Sequence, residues 1–280
     1  MNLKPAFILA EVRRALAEDV GEGDVSAALL PIHLEAHADL ISREPMLVCG
    51  IPWVEAIFAE VNPAIKLNWL VKEGDWLSAP ATLCQIKGPG AAILTAERSA
   101  LNFLQTLSGT ATKTHHYIMA LKGSKTRLLD TRKTLPGLRL AQKYAVNCAG
   151  GVNHRMGLYD AYLIKENHII ACGSITKAIE LARRLRSDLM VEIEVETIIE
   201  LSEALAAKPD RVLLDNFSLT MLEEAVLLSK PYGCELEASG GIDLTNIEAI
   251  AQTGVDFISV GAITKSVQAI DLSLLIREVK

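Results

Sequence analysis

Residues 211–242, RVLLDNFSLTMLEEAVLLSKPYGCELEASGGI, hold one complete strand–helix–strand repeat. RVLLDNF begins as an apolar strand and stops at Asp215. SLTMLEEAVLLSK reads as an amphipathic helix, and CELEASGGI opens a second run that ends in small residues. The same grammar extends outward. Apolar runs recur as RLLDTR (127–132), AYLIKEN (161–167), LMVEIEVE (189–196) and FISVGAI (257–263), with helices such as SITKAIELARRLR between them. Strand–helix units repeating every 20 to 35 residues or so predict a parallel sheet, either doubly wound or closed into a barrel. Six comparable runs in series, with no GxGxxG after the first, point to an α/β-barrel.

Upstream the pattern differs. Ala6 to Ala17 has helical spacing of Ile8, Val12 and Leu16, ended by Gly21 and Gly23, with Asp24 placed to cap the next segment. Residues 36–49 alternate as a strand, and WVEAIFAEV from Trp53 reads as a helix introduced by Gly50 and Pro52. IKLNWLVKEGDWLSAPATLCQIKGPG alternates again, with Glu73-Gly74-Asp75 as a turn and Pro80 and Gly88 as breakers. That piece resembles half of a lipoyl- or biotinyl-type β-hammerhead. No second half with a carrier lysine is found, so it predicts only a β-rich N-terminal domain. Ala91 to Leu121 is helical, with Leu94, Leu101, Leu104 and Leu107 as an apolar stripe and Gly109 as a break or a close packing point. Arg98 falls on that stripe, which reads as a stem packed on apolar neighbours with its head in water. His115 and His116 are adjacent and so cannot share a metal-binding helix face.

The chain has 280 residues, half of them hydrophobic, enough for one large domain or two ordinary ones. It lacks an apolar run long enough to span a bilayer, and its N-terminus meets Glu11, Arg13 and Arg14 too early for a signal peptide. The five cysteines are odd in number, scattered and without CxxC spacing. They read as reduced thiols of a cytoplasmic protein, each most simply a small buried hydrophobe. Net charge is −6, yet the stretch 126–168 carries seven lysines and arginines against three acids. A cationic island in an acidic chain suits a small anion, because nucleic acid requires an extended basic face.

Barrel active sites lie at the C-terminal ends of the strands. In order, those ends carry Arg132 with Lys133, Lys165, Glu194 with Glu196, Asp215, Ser239 and Gly261. Charges gathered at one mouth are costly unless paired or functional. SGGI and VGAIT lead toward helices, and Gly240, Gly241 and Gly261 would let backbone N–H groups approach a phosphate. The reading is a basic subsite on the early strands, a glycine-rich one on the late strands, and acids between. Such a mouth suits a phosphorylated, magnesium-bound substrate meeting a carboxylated one.

These residues also carry a family resemblance. DTRKTLPGLRLAQKYAVNCAGGVNHRMGLYDAYLIKENH (130–168), then EIEVE, LLDNF, EASGGI and VGAIT, with EDVGEGD and ERSALNFLQTLSG upstream, resembles the quinolinate phosphoribosyltransferase family over nearly the whole chain. The resemblance implies an N-terminal α/β sandwich (1–112, joined by 268–280) and an open, TIM-like α/β-barrel (113–267). The implied reaction joins quinolinate to phosphoribosyl pyrophosphate with magnesium, giving nicotinate mononucleotide, pyrophosphate and carbon dioxide in de novo NAD synthesis. By the same resemblance Arg132, His154, Arg155 and Lys165 hold the quinolinate carboxylates, and Lys133 and His168 contact phosphoribosyl pyrophosphate. Glu194 and Asp215 serve the ribose and the magnesium, directly or through water. Ser239, Gly240 and Gly261 cradle the 5′-phosphate. Arg98 becomes the arginine supplied across a homodimer, replacing the packed-stem reading. Lys133, Lys165, Glu194 and Asp215 are the implied catalytic residues. Three other readings stand beside it: a same-fold relative using nicotinate or another heterocycle, a Schiff-base aldolase with Lys165 as nucleophile, and a non-enzymatic ligand-binding or carrier role suggested by the hammerhead-like segment.

Overall fold

The computed structural model describes residues 3–31 and 33–279, so the expected domain ends at residues 1 and 280 lie outside the described residues. The elements begin with α1 (Pro5–Val20), β1 (Glu35–Ser42), β2 (Met46–Leu47), α2 (Ile51–Val61), β3 (Lys66–Trp69), β4 (Trp76–Leu77), β5 (Ala81–Pro89) and α3 (Gly90–Ala120). There follow β6 (Arg127–Leu129), α4 (Arg139–Cys148), β7 (Tyr162–Ile164), α5 (Glu166–Cys172), α6 (Ile175–Leu185), β8 (Val191–Val195) and α7 (Ile198–Ala206). The chain closes with β9 (Arg211–Asp215), α8 (Leu219–Ser229), β10 (Glu235–Ser239), α9 (Ile247–Gln252), β11 (Phe257–Ser259), α10 (Ala262–Lys265) and β12 (Leu272–Val279). Two compact units result: Met1–Lys113 with Tyr144–Ala149 and Val267–Lys280, and Thr114–Lys143 with Gly150–Ser266.

The first unit is built on an antiparallel sheet of order β12-β1-β5-β3. Alternation along β1 buries Ala36, Ala38, Leu40 and Ser42 on one face. The strand expected over 36–49 is two strands, because Pro45 has no N–H to give a ladder. Helix α2 contributes Trp53, Val54, Ile57 and Phe58, none more than 1% exposed. Full burial of such side chains stabilises by roughly 2–3 kcal/mol each. The Trp53 indole N–H is satisfied by Glu11 of α1 at 2.8 Å, and its ring stacks on Phe103 of α3.

Two expectations for α3 are refined. The helix is unbroken through Gly109, and of the two roles expected there close packing holds: the missing side chain admits the non-helical backbone of Gln268. A Cβ there would stand 2.1 Å from that carbonyl oxygen. Three of the four leucines of the expected stripe, Leu101, Leu104 and Leu107, are buried together with Ile93, Ala96, Ala100 and Ala111, whereas Leu94 is exposed and Arg98 lies beside it on the solvent side. Ile93 rather than Leu94 begins the buried row, and Arg98 is therefore off the stripe.

The second unit is a parallel sheet of order β6-β11-β10-β9-β8-β7. All six expected runs are strands. The first and last, β6 and β7, do not pair with each other, so the barrel is open. Short caps fix where its helices start. Ser174 accepts from the Lys177 N–H and Ser218 from the Met221 N–H, while Thr197 and Glu200 form a capping box. Among the described residues no helix is long and apolar enough to cross a membrane.

Candidate active site

Parity along the strands determines which side chains reach the mouth. Glu192 and Glu194 on β8, Leu213 and Asp215 on β9, Glu237 and Ser239 on β10 are each two residues apart and so share a face. The registers set Glu194 beside Leu213 and Asp215 beside Ser239. Above them opens a cleft of about 450 Å³ whose walls include Arg132, Lys133, His154, Arg155, Lys165 and Glu194. Asp215, Glu237, Ser239 and Ser259 complete its acidic and hydroxyl side.

The cationic wall is held by a buried ion pair. Lys143, counted from sequence among the anion-facing charges, is fully buried and pairs with Asp130 at the end of β6. The same ammonium donates to the His154 carbonyl at 2.9 Å. Asp130 also accepts from the His154 N–H at 2.8 Å and the Asn153 side chain at 2.7 Å. Lys143 and Asp130 therefore fasten the segment 153–155 to β6 rather than meeting ligand. Arg139 is likewise internal, donating to the Met156 and Arg132 carbonyls and to Thr134.

Arg132 and Arg155 are left facing the cleft, each with a buried Nε–H that has no acceptor in the protein. Burial, with Arg132 adding like charge, lowers the Arg155 pKa from its ordinary value. Two adjacent guanidiniums with unspent donors suit a carboxylated ligand, because arginine meets carboxylate through two parallel hydrogen bonds. Across the cleft, Lys165 contacts Glu194. Burial and then the Glu194 charge raise the Asp215 carboxyl above its usual range. These two hard oxygen donors are of the kind that could hold a magnesium ion.

Beneath lies a group the sequence reading missed. His154 Nε2 is 3.0 Å from Glu192 and 3.6 Å from Glu237, and both acids are fully buried. His154 Nδ1 accepts the Arg155 N–H at 2.7 Å, which fixes the tautomer with hydrogen on Nε2. Burial, then the Glu192 charge, raises Glu237 to about 8. Arg211 spans Glu235 at 2.9 Å and Glu237 at 3.5 Å with its guanidinium over Phe257. The signal was available, since period two from Glu194 selects Glu192. Glu196, paired with Glu194 from sequence, lies beyond β8 and is exposed, its N–H bound by Glu200.

The remaining candidates are near the cleft or away from it. His168 is exposed on α5 and is not among the lining residues, but its Nδ1 accepts the Lys165 N–H at 3.1 Å. Gly261 adjoins the cleft: a Cβ there would come 2.9 Å from Lys133 Cδ. Gly240 follows β10 with φ +96°, and a Cβ would meet Asn216 at 2.2 Å. The SGGI run does not lead straight into its helix, because residues 243–246 intervene before α9; VGAIT does, since α10 starts at Ala262. Arg98 is exposed on α3 and does not line this cleft.

A barrel mouth with an arginine pair, two lysines and strand-end acids has the make-up of an enzyme site for small anionic molecules. Residues 110–275 match the quinolinate phosphoribosyl transferase C-terminal domain, and residues 24–108 match the N-terminal domain. A probable nicotinate-nucleotide pyrophosphorylase (carboxylating) of Synechocystis is 39% identical over 282 residues, covering 99% of this chain and 95% of the relative. The decarboxylating quinolinate phosphoribosyltransferase 1b of Nicotiana tabacum is 41% identical, covering 95% of this chain and 81% of the relative. The structure of the nicotinate-nucleotide pyrophosphorylase from Francisella tularensis is 48% identical with a TM-score of 0.96, covering 99% and 98% of the two chains. The chain belongs to the quinolinate phosphoribosyltransferase family.

Proposed function

We propose that this chain transfers the phosphoribosyl group of phosphoribosyl pyrophosphate to the ring nitrogen of quinolinate, with release of pyrophosphate and then of carbon dioxide. The product is nicotinate mononucleotide, in de novo NAD synthesis. The observation that carries this reading is the pair Arg132 and Arg155, each with a buried Nε–H lacking a protein acceptor at the mouth. A ligand with two carboxylates supplies acceptors to that clamp, with His154 and Lys165 beside it.

As the ring nitrogen bonds to C1′, the C1′–oxygen bond to pyrophosphate breaks and positive charge develops on the ribose. Glu194 and Asp215 stabilise that charge, and Lys133 offsets charge on the leaving group. Glu194 and Asp215 would also hold magnesium, which when bound supplies positive charge beside the pyrophosphate. The nitrogen, once quaternary, stabilises by its positive charge the in-plane electron pair left on C2 when carbon dioxide departs, and C2 then takes a proton from solvent. Phosphoribosyl transfer therefore precedes decarboxylation. Ser239, Gly240 and Gly261 serve the 5′-phosphate, and His168 the phosphoribosyl pyrophosphate side. Arg98 completes the site of a partner copy in a cytoplasmic homodimer.

The test is turnover of quinolinate beside nicotinate at equal concentration. Quinolinate is consumed in preference, and preference for nicotinate would sink the proposal. The aldolase reading predicts a borohydride-trapped adduct at Lys165, and none is expected. Lys165 is contacted by Glu194 and is half exposed, not desolvated as a Schiff-base lysine is.

A further inference from the structure

We propose that Cys49, Glu73 and Cys148 form a site for a soft divalent cation of the zinc class, in the first unit and built from none of the residues of the barrel mouth. Far apart in sequence, these side chains are brought together so that both sulfurs and a carboxylate oxygen lie within 4.8 Å of one another. A tetrahedral zinc ion with bonds of about 2.3 Å to sulfur spaces its ligands roughly 3.8 Å apart, so the donors need close in by only about 1 Å. Cys49 is buried, whereas Glu73 and Cys148 are half-buried, which leaves one edge of the cluster open for entry.

The cluster is pre-positioned on three sides. Cys49 immediately precedes the N-cap of α2, and Cys148 is the last residue of α4. Glu73 sits on the turn foreseen at Glu73-Gly74-Asp75, which is tied to the cysteine segment. Val48 donates to the Asp75 carbonyl at 2.9 Å, and Gly74 donates to the Val48 carbonyl at 2.8 Å. Gly74 has φ +89°, and a Cβ on it would stand 3.7 Å from Cys148 Sγ, so the turn brings bare backbone against the thiol. The Glu73 carboxylate is oriented by the Gly50 N–H at 2.8 Å and the Ile51 N–H at 3.0 Å, one to each oxygen. The Cys49 thiol and the Tyr144 hydroxyl are also hydrogen-bonded to this carboxylate, so a cation would replace the Cys49 contact and enter beside Tyr144; bonds of this kind orient metal ligands.

Two thiolates and a carboxylate select a thiophilic ion over magnesium. On binding, both thiol protons pass to solvent and the sulfurs coordinate as thiolates, with the fourth position left to water. The excess of one negative charge lies at the N-terminus of α2, where the helix dipole favours it.

The experiment is titration of the full-length, chelator-stripped protein with Co2+ in a non-coordinating phosphine reductant. One equivalent per chain is expected to produce thiolate-to-cobalt absorption in the near ultraviolet with tetrahedral bands in the visible, bleached by one equivalent of Zn2+. Cys148→Ser, at a half-buried position, is expected to weaken binding at least tenfold while retaining the parent melting profile without metal. Glu73→Gln weakens it too, and Cys172→Ser and Cys234→Ser leave it intact. Absence of the absorption, or its persistence in both Cys148→Ser and Glu73→Gln, would overturn the proposal.

Discussion

Arg155 shows how much one side chain at the mouth is asked to do. Its Nε–H has no protein acceptor, its backbone N–H fixes the tautomer of His154, and one of its terminal nitrogens donates to the Ala161 carbonyl at 3.3 Å. Arg155→Lys keeps the charge and loses the planar fork. It is expected to reduce kcat/KM for quinolinate by about 30- to 150-fold, roughly 2–3 kcal/mol, mostly through KM, in steady-state kinetics. Glu237 gives a pH signature. Its pKa rises from 4.5 to about 8 in the fold, so the folded state binds the proton more tightly than the unfolded chain. The stability this contributes is full below about pH 4.5 and is lost as pH rises through about 8. Glu237→Gln should therefore gain in melting temperature relative to the parent as pH increases from 5 to 8; an unchanged difference across that range would contradict the buried-acid account. The residues at strand ends were legible in sequence because charge after an apolar run is conspicuous. Period two from Glu194 reaches Glu192, but the burial of Glu192 and Glu237 and the internal role of Lys143 were not legible, since a charge inside a strand or helix looks the same whether it faces ligand, water or a buried partner.

Among the elements, the join between β6 and the segment 153–155 depends on Asp130 and Lys143, both with side chains 0% exposed. Lys143→Met leaves Asp130 buried without its counter-ion and is expected to cost about 3–5 kcal/mol in denaturant unfolding. Its effect on catalysis arises from displacement of His154 and Arg155. Gly109 tests the other unit. Gly109→Ala places a methyl group where Gln268 already approaches, so a lowered melting temperature is expected even though alanine is the better helix former. Periodicity gave the six barrel strands and the long helix α3 readily. It placed Leu101, Leu104 and Leu107 of α3 on the buried face but put Leu94 and Arg98 there too, because helical spacing alone cannot choose between adjacent faces at the helix start. It passed over the cysteine cluster entirely, since Cys49, Glu73 and Cys148 meet only through tertiary structure.

At the scale of the molecule, the proposed dimer makes a claim that no single substitution can test. Arg98 is exposed on α3, outside the lining of the cleft, and Lys165 is within it. Arg98→Ala and Lys165→Ala are each expected to be inactive alone and folded. Mixing them under conditions that exchange subunits should restore part of the activity, because some mixed dimers contain one site with both residues intact. The central claim, a two-anion barrel mouth that decarboxylates only after phosphoribosyl transfer, is tested most directly with quinolinate labelled in its C2 carboxylate. Labelled carbon dioxide should appear only with phosphoribosyl pyrophosphate and magnesium present, in step with pyrophosphate and nicotinate mononucleotide. Release of label without phosphoribosyl pyrophosphate, or pyrophosphate formation with the label retained, would contradict the account.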